Sequence, residues 1–210
     1  MGCQQSKIDE LDIGCTSFNS LSRKSFLFSR VLGEGGFGTV RAAQMIFIDA
    51  QSMSSEWFAV KEMRKRDILK VKSGKRMLFN ELNSLKRLEH PYIVGLNFAF
   101  HDSLSCFFVL DLLIGGDLRC FINNGVVFDE YKSCYIISCL SSALDYMHSK
   151  FILHRDIKPE NIIFDEKGYP YITDFGVAYI HENTNEVHTY IYNLYLLLIN
   201  LTFYILLLFV

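Results

Sequence analysis

The sequence predicts an α+β chain, with a mainly antiparallel β lobe carrying one main helix, followed by a partial helical lobe. Three observations predict it. Phe26 to Met63 is strand-like, broken by a Gly-rich turn at 33–38. Leu78, Leu82, Leu85 and Leu88 then recur at helical spacing with charged residues between them. A second amphipathic stretch, from about Asp129 to Ser149, sets Ile136, Leu140, Leu144 and Met147 on one face.

Taken in order, residues 1–25 are polar and Ser-rich and read as a mobile arm. Its MGCQQS start matches the pattern for N-myristoylation at Gly2, and Cys3 beside it offers a palmitoylation site for a second anchor. The β region 26–113 includes a longer polar insert around Asp49–Glu56. His90-Pro91 stops the leucine-spaced helix. LNFAFHD and SCFFVLDLL read as a hairpin of buried strands, and IGGDL breaks it to open a short helix. Residues 114–186 carry the second amphipathic helix and the short strands IIF and YIT, separated by the turn DEKGYP. From Val187 to Val210 there is no Lys, Arg, Asp or Glu, and the run is long enough for an apolar C-terminal helix that could span a bilayer.

Lys and Arg number 21 against 23 Asp and Glu, so no strong field points to nucleic acid. The six cysteines form no CxxC pair and read as reduced thiols of a cytosolic protein, not as a zinc site.

Chemistry concentrates in a few stretches. In LGEGGFGTV (Leu32, Gly33, Glu34, Gly35, Gly36, Phe37, Gly38, Thr39, Val40), Gly33, Gly35 and Gly38 form G-x-G-x-x-G between strand-like runs. Glycines there let backbone N–H groups approach phosphate oxygens, although a plain Gly-rich hairpin has the same text. Lys61, mid-strand in FAVKEM, could reach phosphate oxygens, and Glu81 on the following helix could brace it. Taken singly, each reads more readily as a solvated surface charge than as half of a pair. LHRDIKPEN (Leu153–Asn161) is followed thirteen residues after Asn161 by DFG (Asp174–Gly176). Asp156 is a carboxylate that could orient a hydroxyl and take its proton, and Lys158 could neutralise a transferring phosphoryl group. Asn161 and Asp174 offer hard oxygens suited to Mg²⁺. Three such motifs in this order are strong evidence of phosphoryl transfer.

Phe26 to Ala178 thus resembles the eukaryotic protein kinases, bilobal enzymes that use ATP and Mg²⁺. Lys158 within HRDIKPEN is the serine/threonine form. LEHPYIVGL, VLDLLIGGDLR and ALDYMHSKFILHRDIKPENIIFDEKGYPYITDF resemble the AGC group, and within it the YANK branch, which carries Asn where this chain has Gly176. The resemblance implies that Lys61 holds the α- and β-phosphates, braced by Glu81. It implies Asp156 as catalytic base and Asn161 and Asp174 as Mg²⁺ ligands. It further implies Leu110 as gatekeeper, the Asp111–Leu113 backbone (Leu113 included) on the adenine edge, Asp117 near the ribose, and Val40 and Ala59 as the adenine roof. His154, Phe175, Leu85 and Leu96 match a stack of apolar contacts. Arg155 suggests a phosphate partner on the activation loop, with Thr184 or Thr189 as candidates.

After Ala178 the family pattern of an activation segment ending near Ala-Pro-Glu is missing, so the chain reads as a kinase domain truncated after DFG. The expectation is a monomeric cytosolic kinase with ATP and a Ser/Thr protein substrate as partners. Membrane contact would come through acylated Gly2 and Cys3 or through residues 187–210. The alternative is a membrane-held ATP-binding or scaffold module without phosphotransfer. The apolar run itself reads as a transmembrane helix, as translated non-coding sequence, or as a buried core helix for which no covering surface remains.

Overall fold

The computed structural model describes residues 21–35, 38–48 and 53–181. The acylation motif at Gly2 and Cys3, the hairpin residues Gly36 and Phe37, Thr184, Thr189 and the apolar run 187–210 lie outside these. Among the described residues no helix is long and apolar enough to cross a membrane. The described residues fall into two compact units, one within 21–82 and 95–112, the other within 83–94 and 113–181.

The first unit is built on β1 (Phe26–Gly35), β2 (Gly38–Ile48), β3 (Met53–Arg64), β4 (Leu96–His101) and β5 (Ser105–Asp111). They form one sheet in the order β1-β2-β3-β5-β4, every neighbouring pair antiparallel. Residues directly opposite each other share a face of the sheet. One face therefore gathers Phe26, Ala43, Phe58, Val60, Phe100, Phe107 and Val109 into a buried core. Within it Phe100 stacks on Phe26 at 5.8 Å and on Phe107 at 4.7 Å. Each ring buried so completely contributes on the order of 1.5–3 kcal/mol, enough to hold the register of five strands. The register Val40↔Lys61↔Phe108 and Ala42↔Ala59↔Leu110 puts Val40, Ala59, Lys61 and Leu110 together on the opposite face.

Two stretches differ from the sequence expectation. The insert expected over Asp49–Glu56 is shorter, because β3 begins at Met53 and pairs Ser54, Ser55 and Glu56 with Phe47, Ile46 and Met45. Polar residues tolerate a strand when they face water, and Ser55 and Glu56 are exposed. Leu21–Ser25, expected in the mobile arm, fold onto the sheet. Leu21 rests against the aromatic core, Arg23–Ser25 form a 3₁₀ turn, and the Arg23 guanidinium sits 4.6 Å over Phe28.

Two helices follow β3: α1 (Lys65–Lys70) and α2 (Gly74–Arg87). Helix α2 buries Leu78, Leu82 and Leu85 as their spacing predicts, and Leu88 is buried just past its last turn.

The second unit holds α3 (Leu118–Asn123) and α4 (Glu130–Ser149). Each begins at an aspartate whose side chain accepts from an orphan N–H of the first turn. Asp117 accepts from Cys120 at 2.6 Å and Asp129 from Lys132 at 2.8 Å. Ile136, Leu140, Leu144 and Met147 of α4 are buried. Phe151, with φ 58°, takes the left-handed position after the helix and turns the chain into β6 (Ile152–Leu153). Strands β7 (Ile162–Phe164) and β8 (Pro170–Ile172) pair as the expected hairpin, and β6 pairs with β9 (Tyr179–Ile180). Segment 83–94 joins this unit through Ile172, whose N–H donates to Tyr92 O at 2.9 Å and whose carbonyl accepts from Val94 N–H at 3.1 Å.

Ser84 of α2 is 0 % exposed, and among the described residues its hydroxyl has no hydrogen-bond partner. An unsatisfied buried hydroxyl costs about 1–3 kcal/mol. Ser84→Ala is therefore expected to stabilise the chain by about 1 kcal/mol, read from the urea midpoint at unchanged m-value. A lower midpoint would mean that the hydroxyl is satisfied in solution.

Candidate functional site

In the first unit the sheet face opposite the aromatic core carries one charged pair. Lys61 Nζ lies 2.5 Å from Glu81 Oε1, with side chains 16 % and 6 % exposed. A carboxylate as buried as Glu81 needs such a partner, since a lone buried charge would cost several kcal/mol. The pairing that the sequence offered beside the reading of two solvated surface charges is thus a built feature, positioned by mid-strand β3 and the third turn of α2.

The glycine hairpin flanks it. Leu32, Gly33, Glu34 and Gly35 end β1, and Gly38, Thr39 and Val40 open β2, while Gly36 and Phe37 between them lie outside the described residues. A Cβ on Gly38 would collide with the Glu62 carbonyl, so glycine alone lets β2 run this close to β3. Thr39 is opposite Glu62 and shares its face, away from Val40 and Lys61.

Leu110 and Asp111 end β5, and Leu113 follows in the other unit. Asp111 has a role that sequence reasoning missed. Its carboxylate accepts from Gly95 N–H and from Asn97 Nδ2, both at 2.8 Å, and its own N–H donates to Gly95 O at 3.2 Å. It therefore clamps the irregular start of β4, where the register shifts between Leu96 and Phe98. Asp117, expected near a ribose, serves as the α3 cap.

In the second unit the stretch Leu153–Asn161 forms a loop ending in a 3₁₀ turn, Pro159–Asn161. Asp156 Oδ2 accepts from Lys158 Nζ at 2.7 Å and from Asn161 Nδ2 at 3.0 Å, and Asn161 Nδ2 also donates to the Asp156 carbonyl at 2.8 Å. Burial works to raise the Asp156 pKa, but the bonds from Lys158 and Asn161 and the lysine charge outweigh it, so the carboxyl sits below its ordinary value. At neutral pH the group is a carboxylate.

His154 fixes this loop from below. It is buried, its Nε2 lies 2.9 Å from the Thr173 carbonyl, and its Nδ1 accepts from Asp156 N–H at 3.3 Å. A carbonyl can only accept, so the ring is the neutral Nε2–H tautomer. Phe175 meets it edge-on at 4.9 Å. Thr173 in turn donates to the Asn161 carbonyl through N–H at 2.9 Å and Oγ1 at 3.1 Å. These bonds tie the residue before Asp174 to Asn161, so the two proposed oxygen ligands belong to one connected piece of backbone.

Two loop residues are left-handed without being glycine: Arg155 at φ 65° and Asp174 at φ 59°. Each costs of order 1–3 kcal/mol and persists only where the surroundings dictate it. Arg155 Nε and Nη2 both donate to the Val177 carbonyl, at 2.8 and 2.5 Å, and the guanidinium lies 5.1 Å over the Tyr179 ring.

The residues fit a magnesium nucleotide. Because Asn161 spends its amide N–H groups on Asp156, its Oδ1 is left as a hard acceptor, with the Asp174 carboxylate close by in the chain. Among the described residues no group of three or more His, Cys, Asp or Glu could hold a metal by itself. Mg²⁺ keeps waters and phosphate oxygens around one or two protein ligands, and an amide oxygen and a carboxylate are the hard donors it takes. The Lys61 ammonium matches phosphate oxygens.

Burial pushes His90, His148 and His154 below the ordinary imidazole value of 6.5. Unfolding restores the ordinary value, so below it the unfolded chain binds protons that the folded chain does not. Stability is thus full above 6.5 and falls as pH drops through that value toward the lowered folded values. Denaturant midpoints should fall between about pH 7.5 and about pH 5.5, with a flatter slope in His154→Asn.

A protein kinase domain family profile matches residues 26–196. A probable serine/threonine-protein kinase of Dictyostelium discoideum is 33 % identical over 185 residues, covering 88 % of this chain and 38 % of that protein. Serine/threonine-protein kinase Sgk1 of Xenopus tropicalis is 33 % identical over 169 residues, and that of Gallus gallus 34 %, each match covering 80 % of this chain. These cover 39 % and 38 % of the Sgk1 proteins, so the chain spans about two-fifths of the length of the relatives it matches. The chain belongs to the protein kinase domain family.

Proposed function

We propose that this chain is an ATP- and Mg²⁺-dependent serine/threonine protein kinase, transferring the γ-phosphoryl group of ATP to Ser or Thr hydroxyls of a protein. The observation that carries the reading is Asp156, kept ionised by Lys158 and Asn161 on a loop whose Asn161 is bonded to Thr173, the neighbour of Asp174. In this reading Asp156 accepts the hydrogen bond of the incoming hydroxyl, aligns it and receives its proton. Lys158, now on Asp156 at 2.7 Å, moves to the transferring phosphoryl oxygens. Lys61, braced by Glu81, holds the α- and β-phosphates under the hairpin Gly33–Gly38. Asn161 and Asp174 would hold Mg²⁺, which would neutralise phosphate charge. Val40, Ala59 and Leu110 enclose the adenine, with the Asp111–Leu113 backbone on its edge and Asp117 on the ribose.

The serine/threonine specificity rests on Lys158 and on the names of the relatives. The motif text supports an AGC kinase of the YANK branch. We read the chain as a cytosolic monomer held to a membrane face by acyl groups on Gly2 and Cys3, which intact-mass measurement of wild type against Gly2→Ala would test.

Transfer of labelled phosphate from ATP to a Ser/Thr peptide is the direct assay. Asp156→Asn is expected to lower it by about 10²–10⁴-fold, and Lys61→Met to abolish stabilisation of the chain by MgATP. MgATP binding without transfer by wild type would turn the reading into a nucleotide-binding module, and absence of any nucleotide binding would sink both.

A further inference from the structure

The clamp around Asp111 is not used by the reading above. Strand β5 ends at Asp111, whose pairing with Phe58 is the last between β3 and β5. A strand end held by its ladder alone frays. Asp111 is instead held three times over by β4 and the residue before it. Its N–H donates to Gly95 O at 3.2 Å. Its carboxylate accepts from Gly95 N–H through Oδ2 and from Asn97 Nδ2 through Oδ1, both at 2.8 Å.

The neighbouring strand is shaped for this clamp. Leu96 lies opposite Leu110 and Phe98 opposite Val109, so Asn97 is the extra residue of a bulge in β4. A bulge re-aims the side chain that it carries. Here the Asn97 amide meets the Asp111 carboxylate although the residue itself is exposed. Gly95 completes the fit, because a Cβ there would stand 2.6 Å from Asp111 Oδ2. The clamp thus needs glycine at one position and a donor side chain at the other.

In the kinase reading, on which this inference rests, the Asp111 backbone faces the adenine edge. With its N–H spent on Gly95, the group that Asp111 can offer a base is its carbonyl, which only accepts. Such an acceptor favours a purine with a 6-amino group over one without, provided that the carbonyl is held still. We propose that Asn97 is a positioning residue for base discrimination. It acts through the Asp111 carboxylate to fix that carbonyl, and so sets how strongly the chain prefers a 6-amino purine nucleotide. It needs no contact with the nucleotide to do so.

The test compares MgATP with the magnesium complex of purine riboside triphosphate, which lacks only the 6-amino group, by equilibrium binding to the full chain. Wild type should bind MgATP about fivefold more tightly, the usual worth of one hydrogen bond. Asn97→Ala should bring the two affinities within about twofold by weakening MgATP alone. Asn97→Asp, which sets a second carboxylate against Asp111, should do the same. Adding Asp111→Asn to Asn97→Asp should restore the wild-type ratio, since donor and acceptor are then exchanged across one bond. A merely structural role for Asn97 would weaken both nucleotides alike. An unchanged ratio in the two single variants overturns the proposal, as does a double variant that fails to recover it. If wild type binds both nucleotides equally, the proposal alone falls. If it binds neither, the kinase reading falls and takes the proposal with it.

Discussion

The buried imidazole of His154 is the point from which the chemistry of the second unit is hung. Its Nδ1 takes the Asp156 N–H and its Nε2–H reaches the Thr173 carbonyl, so one ring joins the loop that holds Asp156 to the strand end that presents Asp174. The same loop and strand end carry the left-handed residues Arg155 and Asp174, together costing a few kcal/mol. Neutral hydrogen bonds return about 0.5–1.5 kcal/mol each, so the His154 bonds alone do not cover that cost. The Phe175 ring against His154, the two hydrogen bonds from Thr173 to the Asn161 carbonyl and the Arg155 bonds to Val177 add to them. A strained loop is thus over-determined by its surroundings, as pre-organised sites generally are. The arrangement requires a neutral ring, because a protonated Nδ1 could not accept from Asp156.

Charge is handled differently in the two units, and burial explains why. Lys61 and Glu81 are largely withdrawn from water, so removing either would strand a buried charge at a cost of about 3–5 kcal/mol. Arg119 and Glu160 are about half exposed, where a pair is worth roughly 0–1 kcal/mol. The first pair is therefore a structural commitment of α2 to β3. The second is a surface pair that either side chain can leave for water at little cost.

Much of this was legible in the linear text because it depends on local rules. The leucines of α2, the apolar face of α4, the β4–β5 hairpin and the β7–β8 hairpin all follow from side-chain period and turn chemistry, and the structure has each of them. The Gly-rich hairpin, HRD and DFG stood out because glycine and charged residues sit there against their usual propensities. What stayed hidden depends on partners distant in sequence. Nothing near Asp111 announces that its carboxylate will bind Gly95 and Asn97, or that Arg119 will meet Glu160 forty-one positions on. The insert after Ile48 looked longer than it is because solvent-facing strand residues carry the same polar composition as a loop. Leu21–Ser25 looked like free chain because Leu21 packs against a core assembled from residues far along the sequence.

Asp156 bears on how the proposed transfer works. A general base is most effective with a pKa near the working pH, yet Lys158 and Asn161 hold this carboxyl below even the ordinary carboxylate range. As a base it is weak, and an early proton transfer from a hydroxyl would be uphill. A loose phosphoryl-transfer transition state asks little of a base, because the hydroxyl is scarcely bonded to phosphorus when the leaving bond has nearly broken. Alignment is the larger need, and for that a permanently ionised, doubly anchored carboxylate is well suited. Its charge always accepts the hydroxyl proton's hydrogen bond, and the Asn161 amide keeps its plane fixed. When Lys158 shifts to the phosphoryl oxygens, Asp156 loses the stronger of its two hydrogen bonds and its basicity rises. In the proposed reading, proton acceptance is coupled to the arrival of the phosphoryl group, and Asp156 would act first as a positioning group and only late as a base.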